Sequence, residues 1–134
     1  GEGVRTTGAD LRLDWRPDML WWGPAGIGAT YTHGRYLEQH CRPFEEGLRF
    51  LRHDGHETRV AEGSYGAFFG YPSLILTAQG GYLGVTTASE REFEMRIVDV
   101  YRREGELLAE NWIFIDHLHV LAQLGFDALA RMAA

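Results

Sequence analysis

The sequence predicts an α+β fold in which a helical segment is followed by a curved antiparallel sheet closing on a largely apolar pocket of small-molecule size. Three observations carry that reading. Helical spacing occurs over Thr32–Leu51 and again over Leu118–Met132, whereas the residues from Glu57 to Asp116 follow strand-like patterns. A helix followed by hairpin-linked strands packs as an α+β domain. Glycine is abundant, at 17 of 134 residues, and aromatic residues reach 13%. Glycine permits kinks and bulges while aromatic rings supply walls, a pairing suited to a sheet bent around a cavity. The third observation is a pair of long strands, Phe93–Arg103 and Glu106–Asp116, joined across Glu104-Gly105.

Length and composition bound the rest. A chain of 134 residues fits one domain with a core of its own. Its 45% apolar and 24% charged residues are ordinary for a globular protein. A net charge of −6 offers no basic footprint, so nucleic acid is not an expected partner. No stretch approaches the ~20 continuous apolar residues of a membrane span, and no signal-peptide pattern is present, so no membrane partner is expected either. Cys41 is the single cysteine, which leaves no intramolecular disulfide and makes the cytoplasm the expected location. Gly1 in place of Met reads as a trimmed start or an excised portion of a longer chain.

Along the chain, residues 1–12 are polar and glycine-rich and read as loosely held. Asp18–Trp22 is a short strand, ended by Gly23-Pro24-Ala25-Gly26-Ile27-Gly28. Those glycines run G-x-x-G-x-G with no βαβ unit behind them, so they mark a turn and not a dinucleotide fingerprint. Between Thr32 and Leu51, the residues Leu37, His40, Cys41, Phe44, Leu48 and Leu51 share one helical face. Pro43 should kink or split that helix. His53-Asp54-Gly55-His56 is a turn by composition, Val60–Phe69 alternates loosely, and Ser73–Ala78 is a short apolar strand. The closing helical segment is interrupted near Gly125.

The Glu104-Gly105 hairpin is the most informative feature. With those two residues as the turn, Arg103 faces Glu106, Tyr101 faces Leu108, Asp99 faces Glu110 and Ile97 faces Trp112. Side chains alternate across a strand, so Phe93, Met95, Ile97, Asp99 and Tyr101 then share a face with Leu108, Glu110, Trp112, Phe114 and Asp116. That register puts Asp99 and Glu110 directly opposite, with Cβ atoms about 4.5–5.5 Å apart in an apolar wall. Desolvation and mutual repulsion would raise one carboxyl pKa towards neutrality. Such a group suits enolisation, aldol cyclisation, isomerisation or dehydration. The alternative is that these acids face solvent or pair with arginines; a one-residue register shift would put Asp99 and Glu110 on opposite faces.

Glu110-Asn111-Trp112-Ile113-Phe114-Ile115-Asp116, followed by Leu118, Leu121, Gln123, Leu124 and Gly125, resembles the SnoaL-like polyketide cyclases of the nuclear transport factor 2-like superfamily. Trp22–Gly28, Arg42-Pro43-Phe44 and Gly81–Val85 agree, and the resemblance spans roughly residues 18–128. It implies a cone-like sheet around a deep pocket, helices closing one end, and a homodimer. Function transfers less directly, because the superfamily holds cyclases, isomerases, dehydratases, epoxide hydrolases and binding modules. The cyclases' pocket aspartate falls at Asp99 or at Asp116. The position of the general base in the ketosteroid isomerase relatives is Gly23, which cannot do that work. The Asp-Arg-Asp set of the epoxide hydrolase relatives would need Arg96 on the pocket face, and the expected register puts it on the other. Such cones begin with a long helical lid, and only about a dozen unpatterned residues precede the first strand here. The lid is therefore expected to be missing or supplied from elsewhere.

The remaining candidates are weaker. His40 and Cys41 are neighbours on a helix and diverge by about 100°; His40 reads as a core histidine or a hydrogen-bonding group of the pocket. His117/His119 and His53/His56 lack the three or four convergent ligands of a zinc site, so no metal is expected. Together these readings describe a cofactor-free acid/base enzyme for a hydrophobic, carbonyl-bearing small molecule, of polyketide cyclase-like lyase or isomerase type. Asp99, Glu110 and Asp116 are its candidate catalytic residues. Trp112, Phe114, Tyr101, Ile97, Met95, His40 and Trp22 are its candidate ligand-binding residues. The competing expectation is a non-catalytic ligand-binding or dimerisation module of the same fold.

Overall fold

A computed structural model describes residues 4–8, 11–55, 57–87 and 90–134. Strands β1 (Val4–Gly8) and β2 (Leu11–Trp22) form an antiparallel hairpin. The segment expected to be loosely held is therefore largely strand, and the first strand begins well before Asp18. Short strand β3 (Ala29–Tyr31) pairs back on the end of β2. Helix α1 (His33–Tyr36) opens under the side chain of Thr32, which accepts from the Arg35 amide. It widens into a π-helical turn at Leu37–Cys41, then continues as α2 (Arg42–Gly47). Pro43 follows closely on that π-helical turn, and the helix widens there instead of breaking.

The helical stretch ends at Gly47, earlier than the spacing suggested: Leu48–His53 is strand β4. Strands β5 (Thr58–Glu62), β6 (Tyr65–Ala78), β7 (Gly81–Tyr82), β8 (Val85–Thr86), β9 (Glu92–Glu104) and β10 (Leu107–Ile115) follow. Helices α3 (His117–Gln123) and α4 (Ala128–Met132) close the chain. They are separated where expected, at Gly125, which adopts φ +89.

The main sheet runs β1-β2-β10-β9-β6-β4, with β3 attached to β2 and β5 to β6; β7 and β8 pair separately. All its pairings are antiparallel except β2 with β10, which is parallel. The sheet is thus mixed and open, ending in β1 and β4, and it neither curls into a cone nor closes. That overturns the curved antiparallel cone expected from the sequence. Closure needs the two edge strands to pair, and here they lie at opposite ends of the strand order. Eight of the 17 glycines serve turns and loops, while Gly66 and Gly70 lie within β6, Gly70 at its register slip. Gly26, Gly28, Gly55, Gly63, Gly80, Gly84, Gly105 and Gly125 all have positive φ and sit in turns and loops.

One face of the sheet carries the core. Leu48, Leu74, Leu76, Ala78, Tyr82, Phe93, Met95, Ile97 and Ile115 pack with Val120, Leu121 and Leu124 from the α3 region. A second cluster, Trp15, Met19 and Trp21 on β2, is covered by Ile27 and Tyr36 and meets Tyr101, Leu108 and Ile113. No helix among the described residues is long and apolar enough to cross a membrane.

The turn after β2 holds Trp21 in place. The Gly23 amide donates to the Gly28 carbonyl (2.8 Å). A methyl group on Gly23 would lie 2.6 Å from that oxygen and would overlap the benzo ring of Trp21. No acid can stand at this position without displacing the ring. Gly23→Ala is therefore expected to destabilise the fold by about 1–3 kcal/mol, read as a lower urea midpoint at unchanged m-value. Gly47→Ala, where an added methyl group meets nothing within 4 Å, is the control expected to leave the midpoint within error or raise it.

Candidate active site

The hairpin of β9 and β10 decides which side chains share a face, and its register differs from the expected one. Glu104 pairs with Leu107 and Arg103 with Leu108, so the turn is Gly105-Glu106. The register then slips between Leu108 and Glu110, with Ala109 as the extra residue. Beyond that bulge Glu110 faces Arg102, Asn111 faces Tyr101, Trp112 faces Val100, and Ile113 faces Asp99. The displaced turn alone preserves the alternation; the added residue inverts it. Asp99 and Glu110 are consequently on opposite faces, and the expected carboxylate pair is not formed.

Asp99 shares its face with Phe93, Met95, Ile97 and Tyr101 on β9 and with Asn111, Ile113 and Ile115 on β10. The Asn111 side-chain amide donates to Asp99 Oδ1 and to the Val100 carbonyl, both at 3.2 Å. Asn111 is buried, and its own neighbours across the sheet are Tyr101 and Trp21. Tyr101, two residues along β9 on the same face, also favours the ionised Asp99 carboxyl. Rings surround this group: Trp15 and Phe68 lie 5.9 and 5.5 Å from the Tyr101 ring, and Tyr36 lies 5.7 Å from Trp15.

Burial in this apolar setting pushes the Asp99 carboxyl up to about 6, and Asn111 and Tyr101 offset only part of that rise. The elevation was expected, but its cause is desolvation and not a second carboxylate. Burial, with the nearby Asp99 charge, also raises Tyr101, which stays a neutral donor. Tyr36 is raised chiefly by burial; its hydroxyl is hydrogen-bonded to Cys41, and it too feels the Asp99 charge. Burial raises the Cys41 thiol, which keeps it protonated.

The other candidate residues fall elsewhere. Glu110 accepts from Arg102 Nε at 2.5 Å and from the Trp22 indole at 3.3 Å, on the reverse face. Trp112 and Phe114 also lie there, with Phe114 exposed. Asp116 caps α3 by accepting from the His119 amide at 3.0 Å and lies 3.5 Å from Arg96. Met95 and Ile97 are core residues on the Asp99 face. His40 lies in the helical segment over that face, its ring stacked 4.0 Å from Trp21. His56 lies outside the described residues, and among those described no group of three or more His, Cys, Asp and Glu residues is arranged to hold a metal ion.

Asn111, Trp15, Tyr36 and Phe68 belong to this site and escaped the sequence reading. Asn111 was assigned to the reverse face because the bulge leaves no clear mark at Ala109. Trp15 lay in a stretch where no strand was recognised. Tyr36 is one residue ahead of the helical face that was traced, although its spacing of four from His40 could have found it.

Comparison with known proteins shows similarity in structure only. No protein-family model and no curated protein matches the chain. Among solved structures, IdmH of Streptomyces antibioticus, described as a polyketide cyclase, aligns at a TM-score of 0.61 and 19% identity over 83% of this chain and 81% of its own. A SnoaL-like polyketide cyclase of Jannaschia aligns at 0.61 and 18%, covering 82% and 72%. A protein of Rhodopseudomonas palustris described as an isomerase gives 0.60 and 20%, covering 83% and 78%. At these identities the likeness establishes architecture and not activity. The chain shares its fold with these solved structures, one of them described as a SnoaL-like polyketide cyclase, and its own sheet is open.

Proposed function

We propose that the protein is a cofactor-free acid/base enzyme acting on a hydrophobic, carbonyl-bearing small molecule, with Asp99 as its proton-transfer group. The observation that carries this reading is a half-buried carboxyl with its pKa near 6, hydrogen-bonded by Asn111, paired across the sheet with Phe68 and sharing its face with Tyr101. A base of that strength is ionised at neutral pH and retains enough proton affinity to take a proton from carbon next to a carbonyl. The C–H electron pair then passes to the carbonyl as an enolate, and the same proton can be returned at another position. Asn111 holds the carboxylate in place. The sequence contains 13 basic residues, all of them arginine, so no lysine within it can form a Schiff base with the carbonyl. The cyclase and isomerase descriptions of structural neighbours support the same reaction class by analogy.

A second reading, a dimerisation module, is favoured by the reverse face of the sheet. Tyr65 and Phe114 are exposed there, and the Tyr65 and Trp112 rings lie 6.4 Å apart. Homodimerisation through this face is compatible with catalysis on the other.

Three outcomes test these proposals. The first probe is exchange of the α-protons of 2-tetralone in D2O, followed by NMR. Asp99→Asn should slow enzyme-dependent exchange by about 100-fold or more. The wild-type rate should rise with pH through about 6 and then level, because the ionised carboxylate is the active form. Wild-type exchange no faster than buffer, or equal rates in the two proteins, would remove the catalytic proposal.

The second outcome concerns stability. The folded Asp99 binds its proton more tightly than the unfolded chain does, so wild-type stability falls as pH rises from about 4 to about 6. Asp99→Asn should therefore be the more stable protein at pH 7.5, by about 2–3 kcal/mol, with the gain vanishing below pH 4. Equal denaturation midpoints at pH 7.5 would mean the carboxylate is not desolvated. Third, Phe114→Glu should convert a sedimenting dimer to monomer; a wild-type monomer at micromolar concentration would dismiss dimerisation through this face.

A further inference from the structure

A cavity of about 240 Å³ lies beside the helical segment, and neither Asp99 nor the Trp15, Tyr36 and Tyr101 rings are among its lining residues. Its walls are Ile27, Pro43, Phe44 and Leu48, with Leu83 at the rim; its polar side chains are His40, the exposed Gln39 and Tyr82. No charged residue lines it. A neutral apolar molecule therefore fits this space better than an ion, which would lose its hydration with no opposite charge to compensate.

His40 supplies the second observation. It is only 9% exposed, yet its ring nitrogens form no hydrogen bond with any described residue. Its ring is fixed by stacking on Trp21 at 4.0 Å and by Phe44 and Tyr36 at 5.4 and 5.6 Å. Burial lowers its pKa to about 4, so at neutral pH one ring nitrogen donates and the other accepts. Neither ring nitrogen is fully enclosed, so a molecule in the cavity can reach this unused hydrogen-bonding capacity in place of water. The Tyr82 hydroxyl, the other polar group of the aromatic wall, is already bonded to His117 Nδ1 at 2.8 Å.

Leu83 adds a third. It holds φ +48 in the turn between β7 and β8, a conformation in which a branched apolar residue is strained and asparagine is favoured. Its side chain is nearly half exposed at the cavity rim. The leucine costs stability there and contributes apolar surface to the opening.

We propose that this cavity binds a compact, neutral, single-ring molecule carrying one hydroxyl or carbonyl group, with the ring against Phe44, Leu48 and Leu83 and the polar group on His40. A cavity of about 150 Å³ already accommodates benzene, so the volume here admits one substituted ring. The site stands apart from Asp99, and its occupancy does not depend on what that carboxyl does.

Phenol and toluene are the probes, since they match in size and differ by the hydroxyl. Binding is followed by chemical-shift titration of the Leu83 methyls and the His40 ring in the intact protein. Wild type should bind both, with phenol at least as tight as toluene. His40→Phe retains the ring stack and should weaken phenol about tenfold while changing toluene less than twofold. Leu83→Asn should raise the melting temperature and weaken both probes, and it remains a test if His40→Phe does not fold. The proposal is overturned if wild type shows no saturable shifts with either probe. Equal loss of both probes in His40→Phe, or unchanged affinity in Leu83→Asn, would overturn it as well. Asp99→Asn should leave both affinities unaltered, which separates failure here from failure of the catalytic reading.

Discussion

The structure depends on one extra residue. Ala109 adds a single position to β10, and from that point every side chain on the strand changes face. Asn111, Ile113 and Ile115 are turned into the covered side, where Asn111 meets Asp99. Glu110, Trp112 and Phe114 are turned out, where Glu110 finds Arg102. Without the bulge, this register would set Glu110 opposite Tyr101 and Asp99 opposite Trp112, so that both carboxylates stood on the covered face, and Arg102 would lose its nearest partner on β10. Because a sheet has a period of two, the smallest possible insertion has the largest possible effect on which side chains face the core.

The same bulge sits where β10 meets β2. Pairing along those two strands is interrupted between Trp15 and Leu20, a stretch containing Pro17, which cannot donate to a ladder. Beyond the interruption, Asn111 lies beside Trp21 and Trp112 beside Trp22. A buried amide is thus held between a tyrosine on one neighbouring strand and a tryptophan on the other. It bonds a carboxyl that would otherwise have to meet the apolar layer unsupported. The arrangement accepts an electrostatic cost at Asp99, and such costs are concentrated where proteins do chemistry.

Much was legible beforehand because it depends on local rules. The final strand and the helical segment after it follow from apolar patterning, whereas Asp116, read as a candidate acid, serves as that helix's cap. The break at Gly125 and the turn at Gly23–Gly28 follow from glycine's tolerance of positive φ. A raised carboxyl pKa was expected from burial together with a neighbouring carboxylate, and at Asp99 burial produces it without the second acid. Other features were hidden for physical reasons. β4 looked helical because Leu48 and Leu51 continue a helical spacing, and only pairing with β6 makes Leu48–His53 a strand. The alternation of Leu11, Leu13 and Trp15 with Arg12, Asp14 and Arg16 marks β2 and was passed over, whereas its parallel pairing with β10 joins residues 90 or more positions apart. Glycine content alone could not distinguish a bent sheet from a turn-rich one.

The sequence by itself determined the kinds of element present, the superfamily fold they resemble, and Asp99 as an acid with apolar neighbours on its own strand. Those properties reside in composition, in capping and turn residues, and in alternation within one strand. Only the tertiary structure decided which groups meet: Asn111 on Asp99, Arg102 on Glu110, the rings of Trp15 and Tyr36 over the site, and an unpartnered His40 at a cavity wall. Such meetings depend on register between strands and on the order of strands in the sheet. Both are settled by packing among residues far apart in the chain, which is why one inserted alanine could redirect them.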